Sequence, residues 1–209
     1  MEKHQLIETY KKHWLENGQK PVSVYSFCKS IEGGNEAEFY NFYNSLEAIE
    51  KDIWLDIFRS TLAQLENDEI YKNYSAKEKL LAFYFLWVQK LKEDRSYILL
   101  QKEKFKLSDL KNDSLGTFRN AFLEYIGNLV KIGYDTREIK ERKFISDKYA
   151  HGFWLQALFV LNYWIEDSSV NFEMTDAAIE KAVDISFKLI SDNTLDSLID
   201  FGKFILAKK

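Results

Sequence analysis

Apolar residues recur at spacings of three and four along most of the chain, the period of a helix with one buried face. Over residues 5–17 the positions Leu6, Ile7, Tyr10, Trp14 and Leu15 keep that spacing and predict an amphipathic helix. Gly18 ends it, since glycine readily takes the left-handed conformation just past a helix C-terminus. After Pro21, Ser23 reads as the N-cap of a short helix bearing Val24, Phe27, Cys28 and Ile31. The pair Gly33-Gly34 forces a turn, and Asn35 caps a second short helix with Phe39, Phe42 and Tyr43 on its apolar side. Ser45 opens a longer helix in which Leu46, Ile49, Ile53, Trp54, Ile57 and Phe58 hold the period to about Leu65.

The remainder is helical as well, and more apolar. Ser75 with Glu78 three residues later forms a capping box ahead of a helix over 79–91. Further helices are predicted at about 97–105, 114–132, 147–166, 176–190 and 195–206, with polar linkers at 66–73, 106–113, 134–142 and 167–171. No stretch alternates with period two for long enough to build a sheet. The expected class is all-α.

Composition sharpens this in a few places. A chain that is 46% hydrophobic and 30% charged lies far from the disordered regime. One proline and eight glycines leave little punctuation, which favours long helices. The lone Cys28 excludes an intramolecular disulfide and suits a reducing compartment, and the N-terminus lacks a secretory pattern, so a cytoplasmic location is expected. The apolar stretch 153–165 is interrupted by Gln156 and Asn162 and is shorter than the roughly 20 residues of a membrane span, so no membrane insertion is expected. His4, His13 and His151 are scattered, and Gly33-Gly34 lacks the lysine of a phosphate-cradling loop. No catalytic residue, metal site or cofactor is therefore expected.

Two short helices joined by a glycine turn, preceded by one amphipathic helix and followed by a long one, make the tri-helical head that sets a recognition helix in a major groove. The segments Leu-Glu-Asn-Gly (15–18), Pro-Val-Ser-Val-Tyr-Ser-Phe-Cys-Lys (21–29) and Asn-Glu-Ala-Glu-Phe-Tyr-Asn-Phe-Tyr-Asn-Ser-Leu-Glu-Ala-Ile (35–49) resemble the head of TetR-family transcriptional regulators, with Gly18, Ser23, Tyr40 and Tyr43 in matching places. The resemblance implies a helix-turn-helix DNA-binding head at residues 1–50. It implies a larger helical body at 51–209 that dimerises and takes a small ligand, without enzymatic activity. It assigns phosphate contact to Asn35, Tyr40 and Ser23, with Lys29 and Asn41 completing the candidate DNA-binding set. In the body, Trp87, Tyr97, Phe122, Tyr125 and Trp154 are expected to border a cavity for a small, apolar effector. The stretch 153–165, apolar on nearly all sides, is expected to join Ala177, Ile179, Val183 and Phe187 in a two-fold homodimer interface.

Charge qualifies the DNA reading. The whole chain carries −4, and residues 1–59 hold seven Lys/Arg against ten Asp/Glu, with Glu36 and Glu38 inside the recognition helix. Such a head predicts weak non-specific binding carried by few cations, with Lys20, Lys29 and Lys51 nearest the expected contact surface. Where these regulators often carry a lysine just after the recognition helix, this chain has Leu46. A rival keeps the fold without DNA: Trp-Ile-Glu-Asp-Ser-Ser (164–169) resembles a pattern in TetR-fold lipid-binding proteins of ubiquinone biosynthesis.

Overall fold

The computed structural model describes residues 2–105, 115–142, 148–191 and 205. The described residues form α1 Lys3–Asn17, α2 Val24–Lys29, α3 Glu36–Tyr40, α4 Leu46–Glu66, α5 Glu69–Lys72, α6 Ala76–Glu93, α7 Arg95–Leu99, α8 Gly116–Asp135, α9 Tyr149–Glu166 and α10 Glu173–Ser191. Two 3-10 turns, Lys102–Phe105 and Val170–Phe172, lie between helices, and no strand occurs among the described residues.

Most boundaries have a local chemical cause. Gly18, at φ 68°, closes α1 by donating its N–H to the Trp14 carbonyl. Ser23 and Ser26 cap α2 reciprocally, each hydroxyl accepting the other's backbone N–H at 3.1 Å. Ser45 accepts from the Ala48 N–H to start α4, and Ser75 and Glu78 form the expected capping box of α6. Between α2 and α3, Gly33 sits at φ +69°, while a Cβ on Gly34 would lie 2.6 Å from the Cys28 carbonyl oxygen. The glycine pair thus supplies both a left-handed residue and a close backbone approach.

Three expectations shift. The polar linker at 66–73 contains α5, because Asp68 caps it from one side and the buried Lys79 ammonium donates to the Tyr71 and Lys72 carbonyls at the other. The single helix expected over 97–105 is broken into α7 and a 3-10 turn. Helix α10 begins at Glu173 rather than near 176, since the Asp167 carboxylate holds the Thr175 N–H at 2.8 Å and its hydroxyl at 2.6 Å. The helix expected over 195–206 lies outside the described residues apart from Ile205, and the linker at 106–113 lies outside them entirely.

Helix α4 packs on α6 and α8, α8 on α9, and α10 on α6 and α9. The antiparallel α4–α6 pair sets Phe58 against Phe83 at 5.7 Å. Phe118 of α8 lies 5.4 Å from Trp87 and 5.3 Å from Trp154. Burial of each such ring stabilises the fold by roughly 1.5–3 kcal/mol, so aromatic packing dominates the core. Helix α1 rests on α4 and α7, with Trp14 edge-on to Tyr97 at 5.5 Å. Helix α4 runs unbroken through residue 50, packing on α1 and, more extensively, on α6 and α8.

Candidate DNA-binding and ligand-sensing surfaces

The short helix α3 divides its aromatics between core and solvent. Phe39 packs on Phe27 at 6.1 Å and on Tyr43 at 6.0 Å, and the Tyr43 hydroxyl donates to Asp52 at 2.6 Å. With that face inward, Tyr40 is left 55% exposed, and Asn41 follows it on the outside. Ser23 at the start of α2, Lys29 at its end and Asn35 at the start of α3 are exposed too. The five candidates therefore occupy the accessible ends of α2 and α3. Phe42, read from periodicity as part of the apolar side, is 43% exposed, because α3 ends at Tyr40 and the helical phase is lost after it. Tyr25, also exposed, escaped sequence reasoning: a tyrosine beside the core residue Phe27 carries no signal of its outward direction.

Two of the candidates already have structural duties. Asn35 accepts the Glu38 N–H at 2.9 Å and donates an amide hydrogen to the Glu38 carboxylate at 3.1 Å, which leaves one amide hydrogen for an outside acceptor. The Ser23 hydroxyl accepts from the Ser26 N–H and points back to the Ser26 hydroxyl at 3.3 Å.

Most lysines of the first three helices are neutralised from within. Lys3 pairs with Asp52 at 2.8 Å, Lys11 with Asp94 at 2.8 Å, Lys12 with Glu16 at 3.8 Å, and Lys20 with Glu47 at 3.2 Å and Glu50 at 3.7 Å. Lys20, expected near the contact surface, is instead drawn onto α4. Lys29 has no carboxylate within ion-pair distance among the described residues and is the cation best placed to meet a phosphate.

In the body, most of the sequence-selected aromatics pack against other rings. Trp87, Phe122 and Trp154 are buried, with Phe122 5.9 Å from Trp154 and 6.3 Å from the half-buried Tyr125. The Tyr125 hydroxyl is spent on the Lys79 carbonyl at 3.2 Å and on Tyr71 at 3.1 Å. Tyr97 stands apart, on α7 against Trp14. The rings meet one another because four helices converge there, and that convergence is invisible to spacing along one helix. Segment 164–169, singled out in the sequence, is the corner between α9 and α10. Trp164 is buried under Arg95, whose guanidinium lies 4.6 Å from its ring and donates to the Trp164 carbonyl.

A groove of about 540 Å³ runs between α9 and α10 and is lined by Leu155, Phe159, Tyr163, Met174, Ala178 and Ile185 among others. Leu155 is 49% and Ile185 58% exposed, so this outward stripe is an uncovered apolar face. It corrects the expected interface. Ile179, Val183 and Phe187 are buried within the chain, where they form the inward stripe of α10, and only Ala177 of the expected α10 set borders the groove. No helix among the described residues is long and apolar enough to cross a membrane.

The family described as Tetracyclin repressor-like, C-terminal domain, matches residues 79–205. No curated protein matches. Among solved structures, a candidate TetR-family transcriptional regulator from Syntrophomonas wolfei aligns with a TM-score of 0.65 and 16% identity over 90% of this chain and 93% of its own. A transcriptional regulator from Cytophaga hutchinsonii aligns at 0.56 and 15%, over 90% and 98%. A protein of unknown function from Rhodococcus sp. RHA1 aligns at 0.55 and 12%, over 91% and 95%. At such identities these three likenesses concern the fold.

Proposed function

The chain belongs to the tetracyclin repressor-like (TetR) family, and from that membership we propose that it is a homodimeric DNA-binding transcriptional regulator controlled by a small ligand. The head, about residues 1–50, reads DNA. The body, about 51–209, dimerises and senses. One observation carries the DNA reading: α2 and α3 bury Phe27, Phe39 and Tyr43 while turning Lys29, Tyr40 and Asn41 to solvent on one short two-helix unit. Neutral donors together with Lys29, which has no ion-pair partner among the described residues, suit specific contacts more than bulk attraction to phosphate. The uncovered stripe of Leu155, Phe159, Met174 and Ile185 supports pairing with a second copy through α9 and α10, which sets two heads at a fixed spacing.

A ligand seated among the core rings of the body must part side chains that now touch, and this displaces α4 and α6. Because α4 is continuous with the head, such a shift changes the spacing of the two heads. The test is binding to duplexes from around the protein's own gene at several salt concentrations. A specific fragment bound with a shallow salt slope, and weakened by Tyr40→Ala and Lys29→Ala, supports the reading; no duplex bound at low salt overturns it.

A second reading drops the DNA and keeps a lipid-like ligand, as in the TetR-fold proteins of ubiquinone biosynthesis. The internal neutralisation of Lys3, Lys11, Lys12 and Lys20 favours it. The same binding experiment separates the two.

A further inference from the structure

Near the head, the body contains a group of buried polar atoms that meet no protein group beyond an approach of the Gln101 amide to the Tyr97 hydroxyl. They are Nε1 of Trp54, Nε1 of Trp87, the Tyr97 hydroxyl and both side-chain polar atoms of Gln101. Their four residues are each at most 2% exposed. Such atoms are rare in folded proteins, and a cluster of them calls for a partner from outside the chain.

Their placement brings them into one layer. Tyr97, Gln101 and Phe105 follow one another at successive turns of the chain, and Glu50 and Trp54 do the same on α4. Tyr97 lies within electrostatic reach of Glu50, and the Phe105 ring lies 4.9 Å from Trp54, so the two rows run side by side with Gln101 between those contacts. Trp87 joins the layer through Phe118, 5.4 Å from Trp87 and 6.4 Å from Trp54.

We propose that Trp54, Trp87, Tyr97 and Gln101 form the hydrogen-bonding wall of the effector site and take a flat, uncharged molecule bearing carbonyl or lactone oxygens. This rests on the reading of the body as a sensor and changes the effector from purely apolar to amphipathic. Indole N–H groups only donate, so the two tryptophans ask for acceptor oxygens, while Tyr97 and Gln101 can both donate and accept. Burial and the nearby Glu50 push the Tyr97 hydroxyl well above the ordinary tyrosine range, so it keeps its proton. Buried Glu50 also disfavours an anionic ligand in the same layer. Room for the ligand comes from displacing the Phe105 ring, which is carried by a single 3-10 turn.

The test uses the full-length protein and three probes of similar size: coumarin, a neutral bicyclic lactone; naphthalene, which lacks the oxygens; and 2-naphthoate, which is anionic. Calorimetric titration is expected to show coumarin bound at least about tenfold more tightly than either of the others, since a site built for hydrogen bonds rejects the analogue lacking them. Gln101→Met and Tyr97→Phe should abolish that preference. Phe105→Ala should strengthen coumarin binding by opening space. Coumarin binding no better than naphthalene, or a preference that survives both substitutions, would overturn the proposal. If a DNA-releasing effector binds Gln101→Met as well as wild type, the wall is wrong and the sensor reading stands. If coumarin shows the expected preference but no ligand alters DNA binding, the wall stands and the sensor reading falls.

Discussion

The Tyr10 hydroxyl donates to the Glu50 carboxylate at 2.8 Å, a buried bond that ties α1 to α4. Glu50 is 2% exposed and draws Lys20 toward the same point at 3.7 Å. Burial, reinforced by the Glu50 charge, holds the Tyr10 hydroxyl far above the usual tyrosine range, so it remains a donor at any working pH. Tyr10→Phe should cost about 1–3 kcal/mol in urea unfolding, the worth of a buried hydrogen bond to a charged acceptor. A loss below about 0.5 kcal/mol would show that other partners of Glu50 carry the junction.

Two glycines should respond oppositely to alanine. Gly34→Ala drives a methyl group to 2.6 Å from the Cys28 carbonyl oxygen and should destabilise the head by about 1–3 kcal/mol. Gly127→Ala, within α8 with nothing inside 4 Å of its new Cβ, should stabilise the protein by about 0.4–1 kcal/mol. Thermal melts of the two variants moving in the same direction would contradict this account.

Dimerisation is expected to depend on the outward stripe of α9 and α10. Leu155→Glu combined with Ile185→Glu places two charges on residues 49% and 58% exposed, so the fold should survive while a wild-type dimer becomes a monomer. Sedimentation at tens of micromolar reads the result directly. A double variant that stays dimeric puts the interface elsewhere.

Helix α3 carries Glu36 and Glu38 in its first turn. A carboxylate about 4–6 Å from a phosphate is repelled by roughly 1 kcal/mol in water. Glu36→Gln, alone or with Glu38→Gln, should therefore tighten binding to random duplex several-fold at low salt, while circular dichroism stays unchanged. Equal affinity for wild type and variants would mean that these side chains face away from DNA.

Acid should loosen the corner between α9 and α10. Burial raises the Asp167 carboxyl, but hydrogen bonds from Thr175 and Ser169 outweigh it and bring it to about 2, below its ordinary value of 3.8. A lowered folded-state value means the carboxylate contributes stability above about pH 4, lost as pH falls toward 2. Asp167→Asn should melt lower than wild type at neutral pH, with the gap narrowing through that window. A gap constant from pH 6 to pH 2.5 would rule out the ionised carboxylate as its source.

Local chemistry determined the helices and their caps. Ser23, Asn35, Ser45 and Ser75 each accept a backbone N–H three residues on, and Gly18, Gly33 and Gly34 mark stops and turns, because these effects act within one helical turn. The inward direction of Phe27, Phe39 and Tyr43 was legible for the same reason. What neighbouring helices do to one another was not. Periodicity marked Ile179, Val183 and Phe187 as an apolar stripe but not whether this chain or a second copy covers it; the packing of α10 on α6 and α9 decided that. Aromatic content singled out Trp87 and Tyr97, yet Gln101, a polar residue inside the helix predicted over 97–105, became notable only when the tertiary structure buried it beside Tyr97. Whether a polar group is buried and met depends on residues far away in sequence, and only their convergence in space supplies that information.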